Sequence, residues 1–214
     1  MKKTILLCVG LCACASAKVT AFRDPDYANR HFAKLAVFAV GMNLDAATKL
    51  EQQVCEDVAP EACATGLSIM PPTRVYTTDD VNRYLSRDSV DGVLIVTLAG
   101  DQAQTNYIET ITSSSATYGG TSSGTATVNG NTINYNGTSS GSASSKTVST
   151  PVYGHSRAAA GYVTLYDQSS GHAAWNGEFR VSGRGVFATT DGAFIGATSK
   201  TIASDLREAG LLQQ

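Results

Sequence analysis

The run Asp91-Gly92-Val93-Leu94-Ile95-Val96-Thr97-Leu98 constrains this chain more than any other stretch. It is a continuous apolar segment opened by an Asp-Gly turn. Richness in Val and Ile between turn residues reads as a strand buried on both faces. A sheet buried on both faces needs covering layers, and helical patterns lie on either side of this run to supply them.

Upstream, Lys18–Phe22 alternates as a short strand, and Arg23-Asp24-Pro25-Asp26-Tyr27 reads as a turn. Lys34–Val40 is a second apolar strand, ended by Gly41. Leu44, Ala47, Leu50, Val54 and Val58 then recur at spacings of three and four, which predicts a helix over 44–58. Asn43 can cap it, and Asp45 precedes Lys49 at the favourable offset. Leu67–Met70 reads as a short strand stopped by Pro71-Pro72. Thr77 with Asp80 predicts a capped helix start, and Val81, Tyr84 and Leu85 give that helix an apolar face. Tyr162–Tyr166 and His172–Val181 read as strands around an Asp167–Gly171 turn. Asp191–Ala209 closes the chain as a helix with Ile195, Ile202, Leu206 and Ala209 on its apolar side. Gly210 can end that helix, letting Leu211 fold back on its last turn. The expected fold is α+β with an α/β-like start: a mixed sheet of about five to six strands and three helices.

Between these elements the character changes. From Thr110 to Ser156 the only Asp, Glu, Lys or Arg is Lys146. The tract is mostly Ser, Thr, Gly and Asn, with Gly120–Gly124 repeated at Gly137–Gly141. Thr125–Val128 and Thr132–Tyr135 flank Asn129-Gly130-Asn131, a hairpin signal. We expect a β-hairpin or a solvated loop inserted over 101–156, within a single domain over 14–214. Tyr107, Tyr118, Tyr135 and Tyr153 in and around it are candidate partner-contact residues, for protein or glycan, or else cross-strand packing pairs.

The chain opens with Lys2 and Lys3 before an apolar run from Ile5 to Ala13, the layout of an export signal. Two processing sites compete. Ala15-Ser16-Ala17 suits ordinary cleavage before Lys18, making 1–17 the signal. Leu11-Cys12-Ala13-Cys14 resembles the bacterial lipobox, which implies cleavage after 1–13 and a lipid on Cys14. That lipid would hold the protein to a membrane, and Ala15 after Cys14 implies the outer one by analogy with Gram-negative sorting. Cys55 and Cys63 remain in the body, and an isolated pair in an exported chain is most simply a disulfide. Losing Lys2 and Lys3 takes the formal charge from −2 to −4, which argues against nucleic-acid binding.

The sequence has no phosphate-loop motif and no His-Glu-x-x-His. His31, His155 and His172 are scattered, so neither metal nor cofactor is expected. Asp79-Asp80 complements a helix dipole better than it makes a catalytic pair.

Taken together, Cys14, 23–27, 34–38, 91–96, 165–175 and 191–212 resemble a group of uncharacterised bacterial envelope lipoproteins. More distantly, the strand–helix order is similar to the periplasmic α/β domains of TolB and of CsgG-type secretion lipoproteins. The resemblance implies a non-enzymatic, membrane-anchored periplasmic module for envelope assembly or interaction. It leaves two alternatives: an oligomeric secretion or pore-associated subunit of CsgG-like type, and a soluble periplasmic binding domain. Against a pore wall, the insert lacks alternating apolar-out strands of about 10 residues.

Overall fold

The structure, a computed structural model, describes residues 15–58, 60–129 and 132–212, the side chains of 60, 116–141 and 143 excepted. The expected signal over 1–13, Cys14, and Gly130 and Asn131 of the hairpin turn lie outside the described residues, as do the side chains of Tyr118 and Tyr135. The chain forms two compact units. One is built from the residues up to Thr105 and from Gly154 on; the other is Asn106–Tyr153.

The fold is α+β, with a six-stranded mixed sheet. The strands are β1 (Ser16–Arg23), β2 (Leu35–Val40), β3 (Cys63–Thr65), β4 (Gly92–Asn129), β5 (Thr132–Asp167) and β6 (Ala173–Arg184). The helices are α1 (Leu44–Val58), the single turn α2 (Gly66–Ile69), α3 (Thr78–Arg87) and α4 (Asp191–Glu208). The sheet order is β1-β6-β5-β4-β2-β3. β2 runs parallel to β3 and β4, and β6 runs antiparallel to β1 and β5.

Alternation along the strands sorts side chains into two layers. Leu35 and Val37 of β2, Leu94 and Val96 of β4, and Val163 and Leu165 of β5 face one way. There they meet Leu50, Val54 and Val58 of α1 and Phe194, Ile202 and Leu206 of α4 in the main core. Ala36 of β2 faces the other way into a second cluster with Ile69, Leu85 and Val90, against which Phe38 and Val93 pack. The run expected to be buried on both faces is therefore buried unequally. Leu94 and Val96 are wholly enclosed, while Val93 and Ile95 are half-buried. On the β1–β6–β5 side the back face carries Thr20, Glu178 and Tyr162 in register, and among the described residues it stays open, with Thr20 and Tyr162 exposed. An antiparallel sheet tolerates one solvated face.

The expected strand at Leu67–Met70 is a helical turn instead, and the strand lies just before it, at Cys63–Thr65. A short apolar run cannot be told from a helix by periodicity. Local chemistry decides here. Thr65 Oγ1 accepts the Ser68 N–H at 3.3 Å and so caps the turn. Gly66 lies beneath the Phe38 ring, where a Cβ would come within 2.2 Å of Phe38 Cδ1.

β3 stops after three residues, leaving the Ala39 N–H of β2 without a strand neighbour on that side. Glu51 of α1, only 2% exposed, supplies the replacement. Its Oε1 accepts the Ala39 N–H at 3.0 Å and its Oε2 accepts the Leu67 N–H at 3.0 Å. Burial raises the Glu51 pKa above its ordinary value, against the pull of these hydrogen bonds. The expected disulfide is present: Cys55 near the end of α1 is bonded to Cys63 of β3, with Cα atoms 5.2 Å apart. At the C-terminus Gly210 takes φ +67°, Leu211 N–H returns to Leu206 O at 3.0 Å, and Leu211 is fully buried.

Glu51→Ala should lower the unfolding free energy by about 2 kcal/mol, because it strands two part-buried N–H groups. Glu51→Gln keeps one acceptor oxygen and should cost less. Because the folded pKa is raised, the wild-type carboxyl contributes fully below 4.5 and loses that contribution as pH rises through the folded value. The Glu51→Gln cost should therefore be larger at acid than at neutral pH. Paired urea melts at two pH values check this, and a pH-independent difference would refute it.

Candidate functional site

β2 ends, and β4 leaves its pairing with β2, on the same side of the sheet, where β4 also meets β5 of the antiparallel half. A crevice at the carboxyl ends of strands, where direction changes, is the usual ligand position in open α/β sheets. A cleft of about 270 Å³ lies there. Met42 and Asn43 follow β2, and Ala46 and Leu50 come from α1. Leu98 and Asp101 come from β4, Arg157 and Ala159 from β5, Phe179 from β6, and Asp191, Phe194, Ile195 and Thr198 from α4. Both helices begin here, each with its cap made. Asn43 Oδ1 accepts the Ala46 N–H at 2.9 Å, and Thr190 Oγ1 accepts the Ala193 N–H at 3.3 Å.

Arg157 sets the electrostatics. Its Nε donates to Asp101 Oδ1 at 2.8 Å, and a second guanidinium nitrogen donates to Asp101 Oδ2, so the pair is bidentate. The third nitrogen donates to Asp191 Oδ1 at 2.6 Å and to Thr189 O at 3.2 Å. The guanidinium carbon stands 4.8 Å from the Phe194 ring centroid. The hydrogen bond to Asp101 is the largest influence raising the Arg157 pKa, and the same bond lowers that of Asp101. Every guanidinium nitrogen is engaged, so Arg157 acts as a latch between β4, β5 and the start of α4. What remains of the lining is largely apolar and suits a small apolar or amphipathic group. It offers no nucleophile–base pair.

Of the residues picked out in the sequence, Cys55 and Cys63 are joined to each other. Tyr107 and Tyr153 come together in the second unit, edge to face, with ring centroids 6.1 Å apart, both largely exposed. Thr112 and Ser149 hydroxyls meet there at 3.5 Å. These partners converge along the chain, so β4 and β5 run antiparallel as a ribbon. Of Asp79-Asp80, Asp80 makes a capping box with Thr77, and the Thr77 N–H holds the Asp80 pKa down. His172 is exposed, whereas His155 is half-buried and bonds Thr105 at 3.2 Å. Among the described residues no three of His, Cys, Asp or Glu come together as a metal site. The cleft itself was not anticipated. Asp101, Arg157 and Asp191 lie 56 and 34 positions apart, and the one local signal is that Arg157 is the first charge after Lys146.

The ribbon has a second property. β4 pairs with β2 only as far as Thr97, and β5 pairs with β6 only from Ser156 on. Over Asn106–Asn129 and Thr132–Tyr153 each strand has the other as its neighbour, and its outer edge carries no strand among the described residues.

No protein-family model matches the chain, and no curated protein matches it. Among solved structures, it is similar to the PelC dodecamer from Paraburkholderia phytofirmans at a TM-score of 0.44 and 9% identity, covering 92% of this chain and 99% of that one. A leucine-to-methionine variant of the same dodecamer gives 0.44 and 12% over the same shares. The likeness is too slight to transfer a role.

Arg157→Met should cost about 2 kcal/mol, since it leaves Asp101 part-buried without its donor. Because the Asp101 pKa is lowered in the folded protein, its stabilisation is present above 3.8 and is lost as pH falls through the depressed value. Asp101→Asn should therefore destabilise most at neutral pH and converge on wild type in acid. Thermal melts across that range check it; a constant gap would show that the latch does not titrate.

Proposed function

We propose that this chain is a non-enzymatic interaction and assembly module of the bacterial cell envelope, exported and held to the outer membrane by a lipid on Cys14, facing the periplasm. One observation carries the reading: a long ribbon of β4 and β5 whose two outer edges are unpaired among the described residues. An open strand edge is a row of unmet N–H and C=O groups, and strand addition to such an edge is a recurrent way of binding protein. The Cys55–Cys63 bond supports an oxidising compartment. A lipoprotein's several acyl chains meet the condition for stable anchoring, which a single chain does not. The strand-end cleft favours a second reading, a soluble periplasmic binding domain that takes a small ligand.

Expression with the native signal in a lipoprotein-processing bacterium separates the two. The expected product begins at Cys14, is heavier by its acyl groups and leaves the membrane only in detergent. In-cell cross-linking should capture protein partners that are lost when 106–153 are replaced by a two-residue Asn-Gly turn. A product beginning at Lys18 and free in the periplasm would overturn the anchor. Cross-links that survive removal of the ribbon would overturn the assembly reading.

A further inference from the structure

We infer that the strand taken up by the ribbon belongs to a second copy of this chain. The outer edge of β4 in one copy pairs with the outer edge of β5 in the next, joining the ribbons into a closed antiparallel ring. This rests on the reading of the ribbon as the binding element.

Length is the first reason. Asn106–Asn129 offers an edge of 24 residues, about 80 Å at roughly 3.3 Å per residue. Strands in globular proteins are usually about 5–6 residues long, so an ordinary partner strand would cover a small part of this edge. A second copy carries a matching strand by construction, since β4 and β5 already pair with each other over this length.

The second reason is what the ribbon does without. Every described side chain from Asn106 to Tyr153 is exposed except the half-buried Val152. Its described residues form no core, and a lone two-stranded ribbon is marginal in water. A further strand on each edge would add a ladder of backbone bonds. It would also give the exposed Tyr107, Ile108, Ile111 and Val148 a further cross-strand neighbour on their open side.

The third is the absence of the usual protection. Natural edges carry charges, prolines or bulges that discourage pairing. From Asn106 to Tyr153 the ribbon has two charges, Glu109 and Lys146, and one proline, Pro151. Identical ribbons therefore meet almost no like-charge opposition. Pro151 lacks a donor and limits pairing only at the base of β5.

Head-to-tail pairing follows from the edges being two different strands. Joining β4 to β4 about a two-fold axis would leave both β5 edges open. Joining β4 to β5 uses both edges of every copy, and a head-to-tail contact generates a ring if its rotation closes.

The test uses full-length protein purified in detergent. Native mass measurement should give one assembly of several chains that is lost when 106–153 are replaced by Asn-Gly. The Thr112→Lys, Ser149→Lys double variant should weaken association roughly tenfold by placing charge on the paired strands. Mixing chains carrying Thr112→Cys with chains carrying Ser149→Cys should give a disulfide-linked pair on mild oxidation, and neither alone should link. Fluorescence of Trp175, buried in the other unit, reports whether each variant folds. A monomer that still cross-links another envelope protein through its ribbon overturns self-pairing and leaves the assembly reading standing. An assembly that survives removal of 106–153 overturns the inference, as do links between Thr112→Cys chains alone.

Discussion

One carboxylate stands where a strand ought to be. β3 leaves the sheet after Thr65 because Thr65 turns to cap α2. The Ala39 N–H of β2 and the Leu67 N–H of α2 are then both part-buried donors facing the same gap. An unpaired buried amide is costly, so the gap has to be filled. Glu51 fills it from α1, one oxygen to each donor. The position of α1 on the sheet is thereby fixed by hydrogen bonds as well as by packing. The Cys55–Cys63 bond repeats the constraint one helical turn on, tying the same helix to the same short strand. With α1 placed, α4 follows. It shares the main core, and Ser199 Oγ donates to Asp57 Oδ2 at 2.6 Å across the two helices.

The same arrangement makes the cleft. α1 and α4 both begin at the carboxyl ends of the parallel strands, and their first turns stand apart over Leu98 and Phe179. Asp191 opens α4, where a carboxylate is favoured by the helix dipole, and it also completes the Arg157 latch. One residue thus serves a helix start and an ion pair. The latch binds three elements that the core alone would leave free at their ends.

Much of this was legible in the sequence, for local reasons. The helix read over 44–58 from apolar spacing is α1 to the residue, with Asn43 and Asp45–Lys49 placed as expected. The Thr77–Asp80 box and the Asp167–Gly171 turn likewise depend on contacts within a few residues. What escaped was set by tertiary contact. Leu67–Met70 became helical because of Thr65, Phe38 and Glu51, two of which lie far off in the chain. Arg157 was not singled out because its partners stand on other elements. The unequal burial of the 91–98 run depends on which helix lies over which strand, and an apolar run does not encode that.

The two units differ in what could stabilise them. The first buries Trp175, Leu35, Leu94, Leu165, Ile202 and Leu206 almost completely, and at about 25 cal/mol per Å² of apolar surface such a core is ample for a domain. The second buries nothing comparable among its described residues, so its order rests on the backbone ladder between β4 and β5. A ladder satisfies only the inward half of each strand's N–H and C=O groups. The outward half stays with water unless another strand arrives. Ser, Thr and Gly neither shield those groups with charge nor draw the ribbon into the core. A long edge chemically open along its length is therefore a feature to be explained by use, and an identical edge is the simplest surface that meets all of it at once.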